Sequence, residues 1–305
     1  MLSIFISTIT LAAALRLSVP LILSSIGGCF GDRAGIFNIA LESFMLCAAF
    51  FATMGTYMTG SPYAGVFCGI LAGLCCSLVF GLLVFHMGSS GMVVSIAMNL
   101  GMDAFTSFLL LNIFGKRGSF MDPRLVSLPE FKIPVLASIP YVGEVLGTHN
   151  LVVYFTLFAV AGTWAAMYKT PFGLRLRSIG INEKAAQTTG TNVLHYKWYS
   201  VLITGVFTGI AGAILPLGGT SIFTENMSAG RGFLAVAAIM IAKGNPFYAA
   251  LYSFLFAYAQ ALAASMQNFG IPSQIVLALP YLLTVVILLL SGIREKIKHP
   301  SCEVV

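Results

Sequence analysis

Apolar residues along this chain come in long runs separated by short polar stretches, instead of the alternating or 3.6-spaced stripes of a soluble domain. Runs suited to crossing about 30 Å of hydrocarbon fall at residues 4–26, 36–58, 63–85, 93–114, 151–168, 199–217, 247–266 and 275–290. A ninth, at 233–242, is too short alone and is expected to extend upstream. The pattern predicts an all-α, polytopic transmembrane helix bundle of about nine spans (roughly eight to ten), forming one domain over residues 1–305. Two polar stretches interrupt it: a proline-rich loop at 115–150 and a charged loop at 169–197.

Composition sharpens this picture. With 58% hydrophobic residues, 9% charged residues and a mean hydropathy of +0.93, the chain cannot cover itself with the roughly one-quarter charged residues of a soluble domain. The first run has no basic flank and no cleavage pattern, so it reads as a retained span and not a signal peptide. The net charge of +6 is spread out, with no basic cluster interleaved with aromatics, so no nucleic-acid partner is expected. Cys29, Cys47, Cys68, Cys75, Cys76 and Cys302 lack metal-type spacing. They read as small structural hydrophobes, and no metal or cofactor is expected.

Charge distribution orients the bundle. Placing loop 169–197 inside also puts Arg33, Lys243, Arg294, Lys296 and Lys298 inside, and leaves Lys116, Arg117, Arg124, Lys132 and Arg231 outside. That is the excess expected of cytoplasmic loops. The N-terminus is therefore expected outside and the C-terminus inside. Gly65, Gly69 and Gly73, and separately Gly205 and Gly209, are spaced for close helix packing.

Loop 169–197 carries its own helix signals. Thr170-Pro171-Phe172-Gly173 reads as a turn. Asn182 is a good N-cap, Glu183 suits a first helical turn, Ala185 and Ala186 propagate it, and Gly190 ends it. An orienting loop needs Lys and Arg but not a capped helix with an Ala-Ala face.

This segment resembles the cytoplasmic coupling loop of the permease subunits of bacterial ABC importers, in the branch containing nucleoside, ribose and branched-chain amino-acid permeases. Two more stretches match: Gly31 to Glu42 (GDRAGIFNIALE) resembles the nucleoside-permease signature near the first cytoplasmic turn, and Phe223 to Phe233 (FTENMSAGRGF) resembles a second. Ser43 and Asn226 depart from the expected glycines, and Asp103 is an additional intramembrane acid. The resemblance implies a bacterial inner-membrane permease that imports nucleosides, or a related small polar solute such as a sugar, by alternating access. It implies an ATP-binding subunit docked on Asn182, Glu183, Lys184, Ala185, Ala186 and Gly190, a second and non-identical permease, and an external substrate-binding lipoprotein. Loop 115–150 would then dock that lipoprotein; otherwise it is a solvated connector with a short amphipathic helix.

Polar residues within spans are either paired or functional. Asn38 and Glu42 are four apart, as are Asn99 and Asp103, so each pair would share one helix face. Asn38, Asn99, Asp103 and Phe105 are the candidate substrate path, with Phe105 able to stack on a base. Alternatively Arg16 neutralises Glu42 or Asp103 and the amides bond between helices, and Arg16 and Glu42 are read as structural. Glu42 is expected to cap backbone groups near the Gly35 turn. The chain has no GxxxxGK[ST], GxSxG or HExxH motif, so it is not expected to hydrolyse ATP itself. The competing reading is an ion-coupled secondary transporter using Glu42 and Asp103; it requires an internal repeat that the sequence does not display.

Overall fold

The computed structural model describes residues 8–132, 147–266 and Leu289. Its long helices are α1 (Thr8–Arg33), α2 (Leu41–Thr59), α3 (Pro62–Gly81), α4 (Gly91–Phe114), α5 (Leu151–Lys169), α8 (Val193–Leu217) and α10 (Pro246–Met266). A π-turn at Leu82–His86 prolongs α3. Three shorter helices complete the set: α6 (Pro171–Ile181), α7 (Glu183–Thr188) and α9 (Arg231–Ile241). Among the described residues, seven helices are long and apolar enough to span a membrane. The predicted span at 275–290 lies outside the described residues.

The short apolar run at 233–242 does not extend upstream as expected. It is a half-helix of 11 residues. The preceding chain cannot be helical, because Ser221, Asn226, Ala229 and Gly230 all adopt positive φ, which breaks helical geometry. The second run is also shortened: the stretch before Leu41 is irregular backbone, so Asn38 and Glu42 do not share a helix.

The centre of the bundle is α1, α2 and α8. In its most apolar stretch α2 is 78% buried and α8 72%, against 28% for α4 and for α5. The two glycine ladders meet. A Cβ on Gly73 would collide with the Gly205 carbonyl oxygen, one on Gly209 would lie 2.8 Å from the Ile70 Cα, and one on Gly69 2.9 Å from the Ala213 Cβ. Backbones of α3 and α8 thus touch directly, the geometry small residues make possible inside lipid.

Among the described residues of loop 115–150 and the stretch before α9, the chain forms two antiparallel strand pairs. Strand β1 (Ser119–Met121) pairs with β4 (Ile222–Thr224), and β2 (Glu130–Lys132) pairs with β3 (Thr148–Asn150). The loop is fastened to the helices: Leu128 N–H donates to the Leu217 carbonyl (2.8 Å) and Asn150 Nδ2 to the Gly218 carbonyl (3.2 Å). Phe120 and Phe223 are buried beneath β1 and β4 with Phe50 and Phe114. The Phe50–Phe223 and Phe114–Phe120 ring centroids lie 5.5 and 4.0 Å apart.

Candidate functional site

The two signature stretches, about 190 residues apart, meet at one carboxylate. Glu42, in the first turn of α2 and only 7% exposed, accepts from Gly230 N–H through Oε1 (2.8 Å) and from Gly232 N–H through Oε2 (2.6 Å). These are unpaired donors at the N-terminus of α9, where a negative charge is favoured by the helix dipole. A Cβ on Gly232 would lie 2.5 Å from the Glu42 Cα, so only glycine lets the two helix starts come so close. Glu42 therefore caps α9 across the bundle and not the nearby Gly35 turn. Because Met45 abuts Gly212 in the C-terminal half of α8, α2 and α9 both begin inside the bundle. Arg231, which the charge count assigned to the outside, opens this internal helix.

Arg16 does not neutralise Glu42 or Asp103. Its guanidinium pairs with Glu130 of β2 at 3.5 Å, with both side chains about half exposed, so it ties α1 to the strand end of the bundle. Glu42 is satisfied by backbone N–H groups and needs no cation.

Asn38 and Asn99 serve the irregular backbone between α1 and α2. Asn38 Oδ1 accepts from Ala40 N–H (2.8 Å). Asn99, reaching over from α4, donates to the Ile39 carbonyl (3.1 Å) and accepts from Ser43 N–H (3.0 Å). The N-cap position of α2 is Ala40, which has no side-chain acceptor, and Asn99 supplies one to the third residue of the helix. Ser95 adds to this by accepting from Ile39 N–H (3.0 Å). Asp103 is exposed on α4. Phe105 lines an apolar cleft of about 410 Å³ between α2, α3 and α4, beside Phe51, Met102, Cys47, Cys68, Cys75 and Cys76. Of the four residues expected to form one path, Asn38 and Asn99 are thus tied to one stretch of backbone, Phe105 lines the cleft and Asp103 is exposed.

Loop 169–197 is more ordered than its sequence signals suggest. Thr170-Pro171-Phe172-Gly173 is not a turn but the start of α6: Thr170 Oγ1 accepts from Gly173 N–H (3.3 Å), and Pro171 takes the first helical position, where no N–H is needed. Asn182 ends α6 through its own N–H to the Ser178 carbonyl and starts α7 by accepting from Ala185 N–H (3.1 Å). Gly190 follows with φ 79°, and Asn192 caps α8 by accepting from His195 N–H (3.3 Å).

The orientation of α7 reverses one expectation. Ala186 does not face a partner: it is 3% exposed and packs with Ile179, Val193 and Tyr196 of the same chain. Glu183 is drawn back to α8 by Lys197 at 2.7 Å. Lys184 and Ala185 face outward, beside Ile181, which is 86% exposed at the bend between α6 and α7. Ile181 escaped notice in the sequence because one apolar residue in a polar loop carries no periodicity. Asn192, three residues before His195 at the start of a long apolar run, had a readable capping signal.

A helix bundle with glycine-packed spans, an internal half-helix and a short helix presented beyond the bundle defines a polytopic membrane protein. The chain belongs to the family described as the permease component of branched-chain amino acid transport systems, which matches residues 10–290. It is a multi-pass cell-membrane protein, the permease subunit of an ABC transporter. It is 34% identical over 293 residues to the nucleoside ABC transporter permease protein NupC of Lactococcus lactis subsp. cremoris, covering 92% of each chain. It is 31% identical over 311 residues to the guanosine ABC transporter permease protein NupQ of Bacillus subtilis, covering 98% of this chain and 96% of that one. In fold it is similar to an inward-facing metal-chelate type ABC transporter, with a TM-score of 0.52, 16% identity, and coverage of 92% of this chain and 84% of the other.

Proposed function

We propose that this chain imports nucleosides and that α7, presented between Asn182 and Gly190, is its contact with an ATP-binding subunit. The observation that carries the second part is the mounting of α7. It is capped at both ends, seated on α6 and α8 through Ala186, and turned so that Ile181, Lys184 and Ala185 project. A rigid helix on a rigid seat transmits displacement; a flexible loop would absorb it. Ile181 is the natural anchor, since an apolar knob entering a partner pocket is the usual form of an interface hot spot. ATP-driven closure of two such subunits would move α7 and, through α6 and α8, the bundle. ATP hydrolysis belongs to those partners.

The nucleoside assignment rests on the names of the relatives together with the two signature stretches that Glu42 joins. A second, non-identical permease and an external lipoprotein are part of this reading. The ion-coupled alternative is disfavoured because both oxygens of Glu42 are already occupied by backbone donors.

The test is uptake of radiolabelled guanosine, uridine and ribose by the reconstituted complex, with two variants. Ile181→Asp is expected to lose the ATP-binding subunit on co-purification while the permease folds normally. Ala186→Trp is expected to dislodge α7 from its seat, abolishing uptake even where some ATPase remains bound. Normal uptake in both variants would refute the role of α7, and ribose uptake without nucleoside uptake would refute the substrate assignment.

A further inference from the structure

Beyond solute and ATPase, the structure assigns a binding site for an anionic phospholipid headgroup to the end of α5 where it meets α6 and the α9–α10 turn. Arg33, in the last turn of α1, joins these elements: its Nε donates to the Gly244 carbonyl (3.1 Å) and its terminal nitrogen to the Tyr168 hydroxyl (3.2 Å). That linkage brings the chain neighbours of these two residues, Lys243 and Lys169, to the same end of the bundle, and both are exposed. Arg177 lies over the Tyr168 ring (4.8 Å to its centroid) and Lys169 over the Trp164 ring (5.7 Å). Three cations thus meet the two aromatic side chains, Arg33 and Arg177 at Tyr168 and Lys169 at Trp164, with Lys243 next to the Gly244 that Arg33 holds; among the described residues the acid Asp32 also lies against Gly244.

Three features select a lipid over other anions. Trp and Tyr at the end of a span mark the headgroup level of a bilayer, and here each ring already carries a cation. The helix leading to them offers an apolar surface for an acyl chain: Phe155, Leu157 and Phe158 of α5 are exposed, and most of α5 is not covered by protein. Finally, basic pockets between helix ends on the cytoplasmic side suit phosphodiester headgroups, each cation near the surface contributing roughly 1 kcal/mol. Because the same cluster holds Tyr168 and the first turns of α6, a headgroup bound there would brace the support of α7. The inference rests on the proposed placement of this end in the cytoplasm.

The experiment is native mass spectrometry of the complex released from nanodiscs containing equal amounts of phosphatidylglycerol and phosphatidylcholine, alongside ATPase activity in each lipid alone. The expected result is retention of phosphatidylglycerol in preference to phosphatidylcholine. Each of Lys169→Gln, Arg177→Gln and Lys243→Gln should weaken that preference about fivefold, while Lys169→Arg preserves it. Trp164→Ala should weaken retention without changing net charge. Equal retention of the two lipids by the unaltered complex would overturn the proposal. So would displacement of phosphatidylglycerol by millimolar inorganic phosphate, which would mark a site for a soluble anion. Loss of the ATP-binding subunit with lipid preference intact would make the patch a protein contact and equally overturn it. A reversed topology would appear in thiol labelling and leave the lipid measurement unaffected, so the two failures are separable.

Discussion

Replacing Glu42 with glutamine tests the internal clamp. In the native chain two backbone N–H groups donate to the ionised carboxylate, at 2.8 and 2.6 Å. Bonds to a charged group contribute roughly 1.5–3 kcal/mol each, and a partly buried charge at a helix N-terminus adds up to about 2 kcal/mol. Glutamine keeps one acceptor but turns an amide NH₂ toward the other N–H, donor against donor. Losing one charged bond and part of the dipole interaction comes to about 3 kcal/mol, or roughly a 150-fold increase in local opening. Hydrogen exchange read by mass spectrometry on the detergent-solubilised permease should show faster exchange in the segment around Gly230 to Leu234, with α8 unchanged. Gly232→Ala should produce the same local loosening with the carboxylate intact, because its Cβ would meet the Glu42 backbone. Unaltered protection of this segment in both variants would refute the clamp.

Asn99→Leu should lower the thermal midpoint through a loss of about 2 kcal/mol, since it removes both partners that fix Ile39 and Ser43; unchanged stability with weakened uptake would instead show that the amide meets solute. Gly73→Val should prevent accumulation of folded permease, whereas Gly101→Val, where a side chain meets nothing within 4 Å, should be tolerated; immunoblots of membrane fractions compare them. In a cysteine-free background, an impermeant thiol reagent applied to intact cells should label Thr148→Cys and spare Thr188→Cys, and the opposite pattern would reverse the orientation.

Much of the bundle was legible because a span needs only length and apolarity, and seven of the nine predicted runs correspond to helices of spanning length. The glycine ladders were legible too, since small residues at four-residue spacing have few other uses in lipid. Two irregular stretches were not. The segment 34–40 is apolar enough to pass as helix, and the run at 233–242 is too short to span unless it extends upstream; what makes irregular backbone tolerable at both places is tertiary: Asn99, Ser95 and Glu42 satisfy backbone groups that a helix would have satisfied internally. The same cause hid a structural use of the polar residues. Asn38 and Asn99 read as candidate solute ligands, and a sequence does not show that a neighbouring backbone also uses them. Ala186 read as a partner face because a small residue serves equally well against an outside groove or against the chain's own α8.

The satisfaction of Glu42 also bears on how the transporter is driven. A carboxylate that carried protons or cations would have to exchange its ligands in every cycle. Here those ligands are Gly230 and Gly232 N–H, donors inside the bundle, and releasing them would leave groups whose desolvation costs several kcal/mol. Glu42 is therefore suited to holding α2 and α9 together as one body while other contacts change. At the other end of the bundle α7 is seated on α6 and α8, through Ala186 packed on Ile179 and Val193 and through the Glu183–Lys197 pair. If α7 is the contact proposed above, force applied there passes through α6 and α8 into a bundle whose α2 and α9 the Glu42 clamp keeps together as one body.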